Sequence, residues 1–222
     1  MNEYPKIQTV YLRDPETNFK TLLEGQWATP EFKYLKRCDW VWTEKVDGTN
    51  IRVMWDGKEL KFAGKTDKAQ IPPFLFDELN RIFSLQKQVF KEIFGYHDDP
   101  PQEVKVCLYG EGYGAKIQKG GGNYIPDGCS FVLFDAKVGN WWLKRDALED
   151  IADKLQINIV PVVGTGTLRE MVETAKGLLI SNWAVWKNQF QAEGLVGKPI
   201  VDLFDRQGKR VITKIKCKDF KI

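Results

Sequence analysis

The sequence predicts an α+β protein in which antiparallel sheets form a cleft and helices pack on the outside. Residues 50–63 alternate apolar and polar side chains around an Asp56-Gly57 turn, a pattern typical of a β-hairpin. Residues 74–95 repeat apolar side chains at three- and four-residue steps and stop at Gly95, which indicates an amphipathic helix.

The other elements follow in chain order. Residues 4–39 alternate short apolar runs with turn formers and are expected to form strands and loops. Helices are expected at about residues 144–155 and at residues 168–179, with a strand at residues 157–163 between them. A capping box of Thr167 and Glu170 begins the second of these helices.

Composition sets broad limits on the function. With 43% hydrophobic and 28% charged residues among 222, the chain is ordinary for a globular protein and can bury a core as one large domain or as two small ones. Of these we expect one domain over residues 1–222, without an appended C-terminal domain. No apolar run approaches the ~20 residues that span a bilayer, and the N-terminus lacks a signal-peptide pattern, so we expect a cytoplasmic protein without membrane contact. Four scattered cysteines and the single histidine, His97, argue against a zinc site. A net charge of +3 permits nucleic-acid binding without requiring it.

The most informative segment is residues 43–50, between two strand-like runs. It contains Lys45, Asp47 and Gly48, followed by the polar pair Thr49-Asn50. A lysine amine can attack the α-phosphate of a nucleotide, and glycine lets the backbone pass close to a ligand. Alone, the segment also fits a charged β-turn, so its interpretation depends on the rest of the chain.

Later segments supply the other groups that nucleotide chemistry needs. They are residues 63–67 with Lys65, residues 109–111 with Glu111, the glycine-rich loop 112–122 with Lys116 and Lys119, residues 131–135 with Phe134 and Asp135, residues 191–198 with Glu193 and Lys198, and the alternating residues 211–218 with Lys214, Lys216 and Lys218. The glycine-rich loop matches neither G-x-G-x-x-G nor a Walker loop, which excludes Rossmann and P-loop sites. Taken singly, these segments also fit a surface loop, a core phenylalanine or a solvated strand face.

The order of these segments resembles that of the covalent nucleotidyltransferases. KVDGTN at residues 45–50 is similar to motif I of DNA ligases, RNA ligases and mRNA-capping guanylyltransferases, and the later segments are similar to motifs Ia, III, IIIa, IV and V. The resemblance covers nearly the whole chain and implies the ATP-grasp-like nucleotidyltransferase fold. Thr49-Asn50, the opening at residues 4–10 and the I-Q-K sequence in the glycine-rich loop are similar to phage-type RNA ligases and RNA-editing ligases in particular.

The resemblance also implies a role for each candidate residue. Lys45 would bond covalently to AMP, Glu111 would bind the ribose and Phe134 would stack on the adenine. The full nucleotide-binding set would be Glu44, Asn50, Lys65, Glu111, Phe134, Lys198, Lys214 and Lys216, with Glu193 and Asp135 for the metal and Lys116, Lys119 and Lys218 for nucleic acid. Lys65 stands where the family usually has arginine, so a bidentate grip on phosphate is lost there.

The activity implied is that of an ATP-dependent RNA ligase, using Mg²⁺ or Mn²⁺, that joins RNA 3′-hydroxyl and 5′-phosphate ends through lysyl-AMP. The sequence leaves open whether the ends lie at a nick in a duplex, in a tailed duplex or in a single strand. Cations near the lysine would favour its neutral, attacking form and would stabilise the transferring phosphoryl group. The alternatives are a minimal DNA-nick ligase, a capping-type guanylyltransferase and a silent nucleic-acid-binding module. We expect a monomer, and the sequence leaves open whether the sealing steps need a partner protein.

Overall fold

The computed structural model describes residues 3–95, 105–183 and 189–220, and His97 lies outside them. The strands in this part of the chain are β1 (Gln8–Thr9), β2 (Tyr11–Arg13), β3 (Leu22–Trp27), β4 (Trp40–Lys45), β5 (Thr49–Trp55), β6 (Leu60–Ala63), β7 (Val106–Gly114), β8 (Cys129–Val138), β9 (Trp141–Trp142), β10 (Asn158–Ile159), β11 (Val162–Gly166), β12 (Gly194–Pro199) and β13 (Thr213–Lys216). The α-helices are α1 (Pro30–Leu35), α2 (Pro73–Phe83), α3 (Lys87–Phe94), α4 (Arg145–Leu155) and α5 (Leu168–Lys176). Mainly antiparallel sheets with separate helices confirm the predicted α+β class.

The chain divides into two compact units. The first unit consists of the described residues up to Tyr4 together with Asp47–Val160. The second unit consists of Pro5–Val46 together with the described residues from Pro161 onwards. The expectation of one catalytic domain over residues 1–222 stays a prediction.

The first unit is built on a six-stranded sheet in the order β10-β8-β7-β5-β6, with β9 paired to β8. All of these pairs are antiparallel except β10 with β8. The predicted hairpin at residues 50–63 is confirmed as β5 and β6. Apolar sides of α2, α3 and α4 share one buried core with the sheet, in which the ring of Phe83 meets those of Phe90 and Phe131 edge to face. Burial of each such ring contributes about 1.5–3 kcal/mol.

The second unit is built on a five-stranded sheet in the order β1-β13-β12-β4-β11, with a separate β2-β3 pair. Strand β1 runs parallel to β13, and the other neighbours are antiparallel. Helix α5 begins with the predicted capping box and buries Leu168 and Met171 in a core that also contains Trp40, Leu195 and Ile215. Strands β4, β12 and β13 are therefore held side by side by packing as well as by their ladder.

The helix expected over residues 74–95 is two helices, α2 and α3, joined by a 3-10 turn at Ser84–Gln86. Gln86 has φ −91° and ψ 1°, outside the helical range, and its amide donates to the Leu155 carbonyl at 3.2 Å. That bond occupies a carbonyl that the end of α4 would otherwise leave without a partner. Both helices still bury their apolar sides, so the predicted helical periodicity is confirmed, whereas the prediction of one continuous helix is wrong.

Three other elements differ from expectation. The strand expected at residues 157–163 is two strands, β10 in the first unit and β11 in the second, because Pro161 has no amide to donate and interrupts the pairing. Helix α1 lies in a region expected to hold only strands and loops, although Thr29 caps it and Pro30 occupies its first turn. The C-terminal strand ends at Lys216, and Cys217–Phe220 forms a 3-10 turn. In the described part of the chain, every helix is too short or too polar to span a membrane.

Candidate active site

Lys45 is the last residue of β4, where three strands of the second unit meet. Gly194, at the start of β12, lies opposite Lys45 on one side and opposite Lys216 on the other. Directly opposed residues point to the same face of a sheet, so both lysines project from the same face. The same register places Val196 opposite Lys214. Lys198, two further along β12, shares this face, because side chains alternate along a strand.

Glu193 joins the two lysines at this edge. Its carboxylate accepts from Lys45 Nζ at 2.5 Å through one oxygen and from Lys216 Nζ at 2.6 Å through the other. The Glu193 side chain is 11% exposed, and those of Lys45 and Lys216 are 22% and 27% exposed. Burial acts to raise the pKa of the Glu193 carboxyl, but the two ammonium groups, Lys45 above all, outweigh burial and hold the pKa below its ordinary value. The sequence-predicted nucleophile, metal carboxylate and one phosphate lysine therefore form one ion-pair network.

Gly194 makes this convergence sterically feasible. A Cβ at this position would lie 2.0 Å from the Ile215 carbonyl oxygen and 2.8 Å from the Lys216 Cα. No side chain fits between the strands here, so the glycine of the E-G-L-V segment is required by the backbone of β13.

Glu44 lies on the opposite face of β4 from Lys45. It is 2% exposed, and its carboxylate accepts from the Ser181 hydroxyl at 2.6 Å and from the Asn182 amide at 2.8 Å. Burial raises the pKa of Glu44, and these two hydrogen bonds oppose the rise. The carboxylate is thus engaged within the protein and ties β4 to residues 181–182. Nucleotide binding by Glu44 stays a prediction.

In the first unit, Asn50 and Glu111 are direct cross-strand neighbours on β5 and β7. Asn50 Oδ1 is buried without a hydrogen-bond partner among the described residues. Gly48 packs against β7 beside this pair, since a Cβ there would lie 2.8 Å from Glu111 Cγ and 2.2 Å from the Gly112 carbonyl oxygen. A buried acceptor beside a carboxylate fits a ligand with hydroxyl donors, as a ribose has.

Phe134 is half-buried and is the extra residue of a β-bulge. Tyr109 pairs with Asp135 and the next residue of β7, Gly110, pairs with Leu133, so Phe134 between them has no partner in the ladder. A bulge re-aims the extra side chain. Asp135 itself is fully buried and accepts from the Tyr4 hydroxyl at 2.8 Å. The Tyr4 ring also meets Phe134 edge to face at 5.1 Å and contacts Tyr109 and Trp142.

These contacts bear on the metal assignment. Asp135 would have to exchange its bond with Tyr4 for a cation, and its role as a metal ligand stays a prediction. Within the described residues, no three or more histidine, cysteine or acidic side chains form a metal-binding group. A single carboxylate such as Glu193 still fits Mg²⁺ or Mn²⁺ held mainly by water and phosphate oxygens, which is the usual mode for magnesium.

The remaining predicted residues lie in loops of the first unit or in the 3-10 turn of the second. Lys65 follows Gly64, whose carbonyl accepts from Arg52 Nε at 2.9 Å. Lys116 and Lys119 are exposed in the glycine-rich loop, where Gln118 donates to the Gly48 carbonyl at 3.0 Å. Lys218 is exposed after β13. The structure thus gathers Lys45, Glu193, Lys198, Lys214 and Lys216 in one unit and pairs Asn50 with Glu111 in the other.

Sequence reasoning missed Tyr4 and Arg52. Arg52 is fully buried in β5, and its guanidinium contacts Asp67 at 2.6 Å, which holds the loop that carries Lys65. The available signal was a charged residue within an apolar strand pattern, which is uncommon unless the charge is paired. Tyr4 carried no comparable signal, because its contact with Asp135 spans 131 positions.

Known proteins resemble this chain in family and in fold. The model of the RNA ligase family matches residues 39–216. A solved mutant of Naegleria gruberi RNA ligase with ATP and Mn is similar at a TM-score of 0.61 and 17% identity, over 99% of this chain and 60% of that chain. The same ligase with PPi, and a mutant with AMP and Mn, each match at a TM-score of 0.60 and 17% identity, over 97% of this chain and 58% of theirs. No curated protein matches.

At such identity the solved structures show a shared fold, and this chain spans about three fifths of their length. The family model, by contrast, covers most of the chain, from residue 39, just before β4, to Lys216 itself. On that match, the chain belongs to the RNA ligase family.

Proposed function

We propose that this protein is an ATP-dependent RNA ligase that joins 3′-hydroxyl and 5′-phosphate ends through a lysyl-AMP intermediate on Lys45. The observation that carries the proposal is the Lys45–Glu193–Lys216 network, at 2.5 and 2.6 Å, on the sheet face that also bears Lys198 and Lys214. A nucleophile beside phosphate-binding cations is what phosphoryl transfer requires.

In the first step, the Lys45 amine attacks the α-phosphorus of ATP, an N–P bond forms, and the bond to the β-phosphate oxygen breaks to release pyrophosphate. The amine attacks in its neutral form, so one proton of the Lys45 ammonium passes to solvent before the attack, while the Glu193 carboxylate, 2.5 Å away, holds the side chain in position. Lys214 and Lys216 would hold phosphate oxygens as negative charge develops on them. Glu193 would also hold the divalent cation, which supplies Lewis-acid stabilisation of the phosphates when bound.

In the second step, an oxygen of the RNA 5′-phosphate attacks the same phosphorus and the N–P bond breaks, which restores the lysine and leaves AMP on the RNA. In the third step, the RNA 3′-hydroxyl attacks the activated 5′-phosphate, a phosphodiester forms, and AMP leaves. Asn50 and Glu111 would bind the ribose throughout, and Phe134 would stack on the adenine. The unpartnered Asn50 oxygen supports the ribose assignment.

The test is labelling with ATP that carries ³²P at the α-phosphate. We expect the wild type and Lys33→Ala to become labelled and Lys45→Ala to remain unlabelled, with all three giving the same far-ultraviolet circular dichroism. Lys33 is an exposed lysine on α1 and controls for loss of one charge. A labelled, folded Lys45→Ala would overturn the proposal.

The substrate is tested by matched panels of nicked, tailed and single-stranded ends in RNA and in DNA. Sealing of RNA alone supports the proposal, whereas preferred sealing of nicked DNA indicates a DNA ligase, and labelling by GTP in place of ATP indicates a guanylyltransferase. Salt-dependent RNA binding without any label would indicate a silent binding module. We further propose a cytoplasmic monomer that acts in RNA repair, and addition of a cell extract to the sealing assay tests whether a partner protein is needed.

A further inference from the structure

The second unit contains a groove of about 800 Å³ whose lining includes Lys214 and Lys216. Its walls come from β1, β2, the turn that follows β2, β13 and the C-terminal 3-10 turn. The cations that line it are Lys6, Arg13, Lys20, Lys214, Lys216 and Lys218. Asp219 is the acidic residue among the lining side chains, and Arg13 pairs with it at 2.7 Å. The positive charge of the groove is therefore carried by its lysines.

Phe19 gives this basic groove an aromatic surface. Its side chain lines the groove and is 62% exposed. Its backbone is left-handed, with φ 60°, directly after Asn18 with φ 52°. A bulky residue is strained in this region of backbone conformation and persists there when its surroundings enforce it.

Hydrogen bonds at both ends of the turn enforce that conformation. The Phe19 amide donates to the Asp14 carbonyl at 2.9 Å, and the Asp14 amide donates to the Thr21 carbonyl at 3.0 Å. Thr17 links the two sides, since its hydroxyl donates to the Asp14 carbonyl and accepts from the Thr21 amide. Arg13 donates to the Lys20 carbonyl at 3.1 Å through its other nitrogen. The turn is thus built to present a ring that contributes little to the core.

The lysines of the groove can bind a polyanionic ligand. Lys6, Lys20 and Lys218 are exposed, and no ion pair is recorded for them with any described residue. Lys214 and Lys216 connect the groove to the sheet face that bears Lys45. An exposed ring beside a row of cations is the arrangement by which proteins bind single-stranded nucleic acid, through base stacking and phosphate contacts.

We propose that this groove binds the single-stranded RNA segment next to the ligation junction, with a base stacked on Phe19 and phosphates contacting Lys6, Lys20 and Lys218. The inference rests on the proposed ligase function and adds to it the path of the RNA toward Lys45. Phe19 binds RNA without taking part in the attack on ATP, so its loss separates RNA binding from lysine adenylylation.

The test compares Phe19→Asn with Tyr34→Ala in the full chain. Asparagine is tolerated in the left-handed region, so the turn is kept while the ring is removed. Tyr34 is 87% exposed on α1 of the same unit and does not line the groove. The probe is a fluorescein-labelled single-stranded 12-nucleotide RNA, measured by anisotropy. We expect Phe19→Asn to bind about 5- to 100-fold more weakly than the wild type, and Phe19→Trp and Tyr34→Ala to bind like the wild type.

Charge is tested separately. Lys6→Ala combined with Lys20→Ala should reduce the slope of log affinity against log salt by about 1.4, since each phosphate contact with a single strand contributes about 0.7. The matched control, Lys33→Ala, should leave the slope unchanged.

The wild type, Phe19→Asn and Tyr34→Ala are also labelled with α-³²P ATP. Equal labelling with weaker RNA binding supports the groove. Unchanged RNA binding in Phe19→Asn, or a higher ATP requirement for its labelling, would overturn the proposal, and the second result would assign the groove to the ATP phosphates instead. Failure of the wild type itself to become labelled would instead refute the ligase function.

Discussion

Replacement of Glu193 by glutamine tests whether one carboxylate holds β4 and β13 together at the candidate nucleophile. The side chain keeps its size, and its remaining oxygen can still accept from one lysine. Its new NH₂ group faces the other ammonium, so a donor meets a donor. Charge-assisted hydrogen bonds contribute about 1.5–3 kcal/mol each, and an unpaired buried charge adds a penalty. With the lysines 22% and 27% exposed, we expect the free energy of unfolding to fall by about 2–4 kcal/mol.

The pH dependence of this loss follows from the lowered pKa of Glu193 in the folded protein. The unfolded chain binds a proton on this group more tightly, so the contribution of the network is complete above the unfolded-state pKa of about 4.3. It is lost as the pH falls through the lower folded-state pKa. The difference in the free energy of unfolding between the wild type and Glu193→Gln should be constant near neutral pH and should decrease toward zero in acid.

Urea unfolding from pH 3 to pH 8 measures both effects. Glu173→Gln is the control, since the Glu173 side chain is 69% exposed and contacts Lys176 at 3.1 Å on the surface of the same unit. A surface pair of this kind contributes less than about 1 kcal/mol. The role assigned to the network would be refuted if Glu193→Gln and Glu173→Gln lost equal free energies of unfolding. It would also be refuted if the loss in Glu193→Gln stayed the same in acid.

Three further variants test other contacts. Gly194→Ala places a Cβ 2.0 Å from a carbonyl oxygen of β13, so we expect a loss of more than about 3 kcal/mol or no soluble protein. Tyr4→Phe removes the hydroxyl that donates to a fully buried carboxylate, and should cost about 1–2 kcal/mol. Asp67→Asn removes a counter-charge that the fully buried Arg52 contacts, so it should lower the Tm although the Asp67 side chain is 80% exposed. Its control is Asp77→Asn, at an exposed aspartate on α2, which should lower the Tm less.

Thermal and urea unfolding measure all three. A soluble Gly194→Ala of wild-type stability would show that β12 and β13 are further apart than described. A neutral Tyr4→Phe would mean that the tyrosine hydroxyl does not support the buried carboxylate. The third argument would be contradicted by equal Tm values in Asp67→Asn and Asp77→Asn.

Much of the fold was accessible to sequence reasoning, because the signals were local. The hairpin at residues 50–63, the capping box of α5 and the alternation of β13 depend on neighbours within a few positions, and all three are present. The predictions of secondary structure were wrong where a residue far away in the sequence determines the local structure. The break between α2 and α3 involves a bond from Gln86 to Leu155, 69 positions away.

The candidate site shows the same division. The order of the segments from Lys45 through Glu193 to Lys216 resembles that of known nucleotidyltransferase motifs, and nucleotide chemistry was predicted from that resemblance because each motif is a short run of sequence. Their pairing was not predictable, since Lys45 and Glu193 are 148 positions apart and strand register depends on the packing of whole sheets.

The sequence alone determined which charged and polar groups lie along this chain and in what order, because side-chain chemistry and strand alternation are local properties. Only the tertiary structure decided which of those groups come into contact. It places Gly194 opposite both Lys45 and Lys216, so that the Glu193 carboxylate contacts both lysines. It also buries the Glu44 side chain and positions the ring of Phe19 in a groove lined with lysines. These contacts depend on strand register, which is set by residues far apart in sequence. The position of Phe19 depends on turn hydrogen bonds and on a backbone conformation that residue type does not specify.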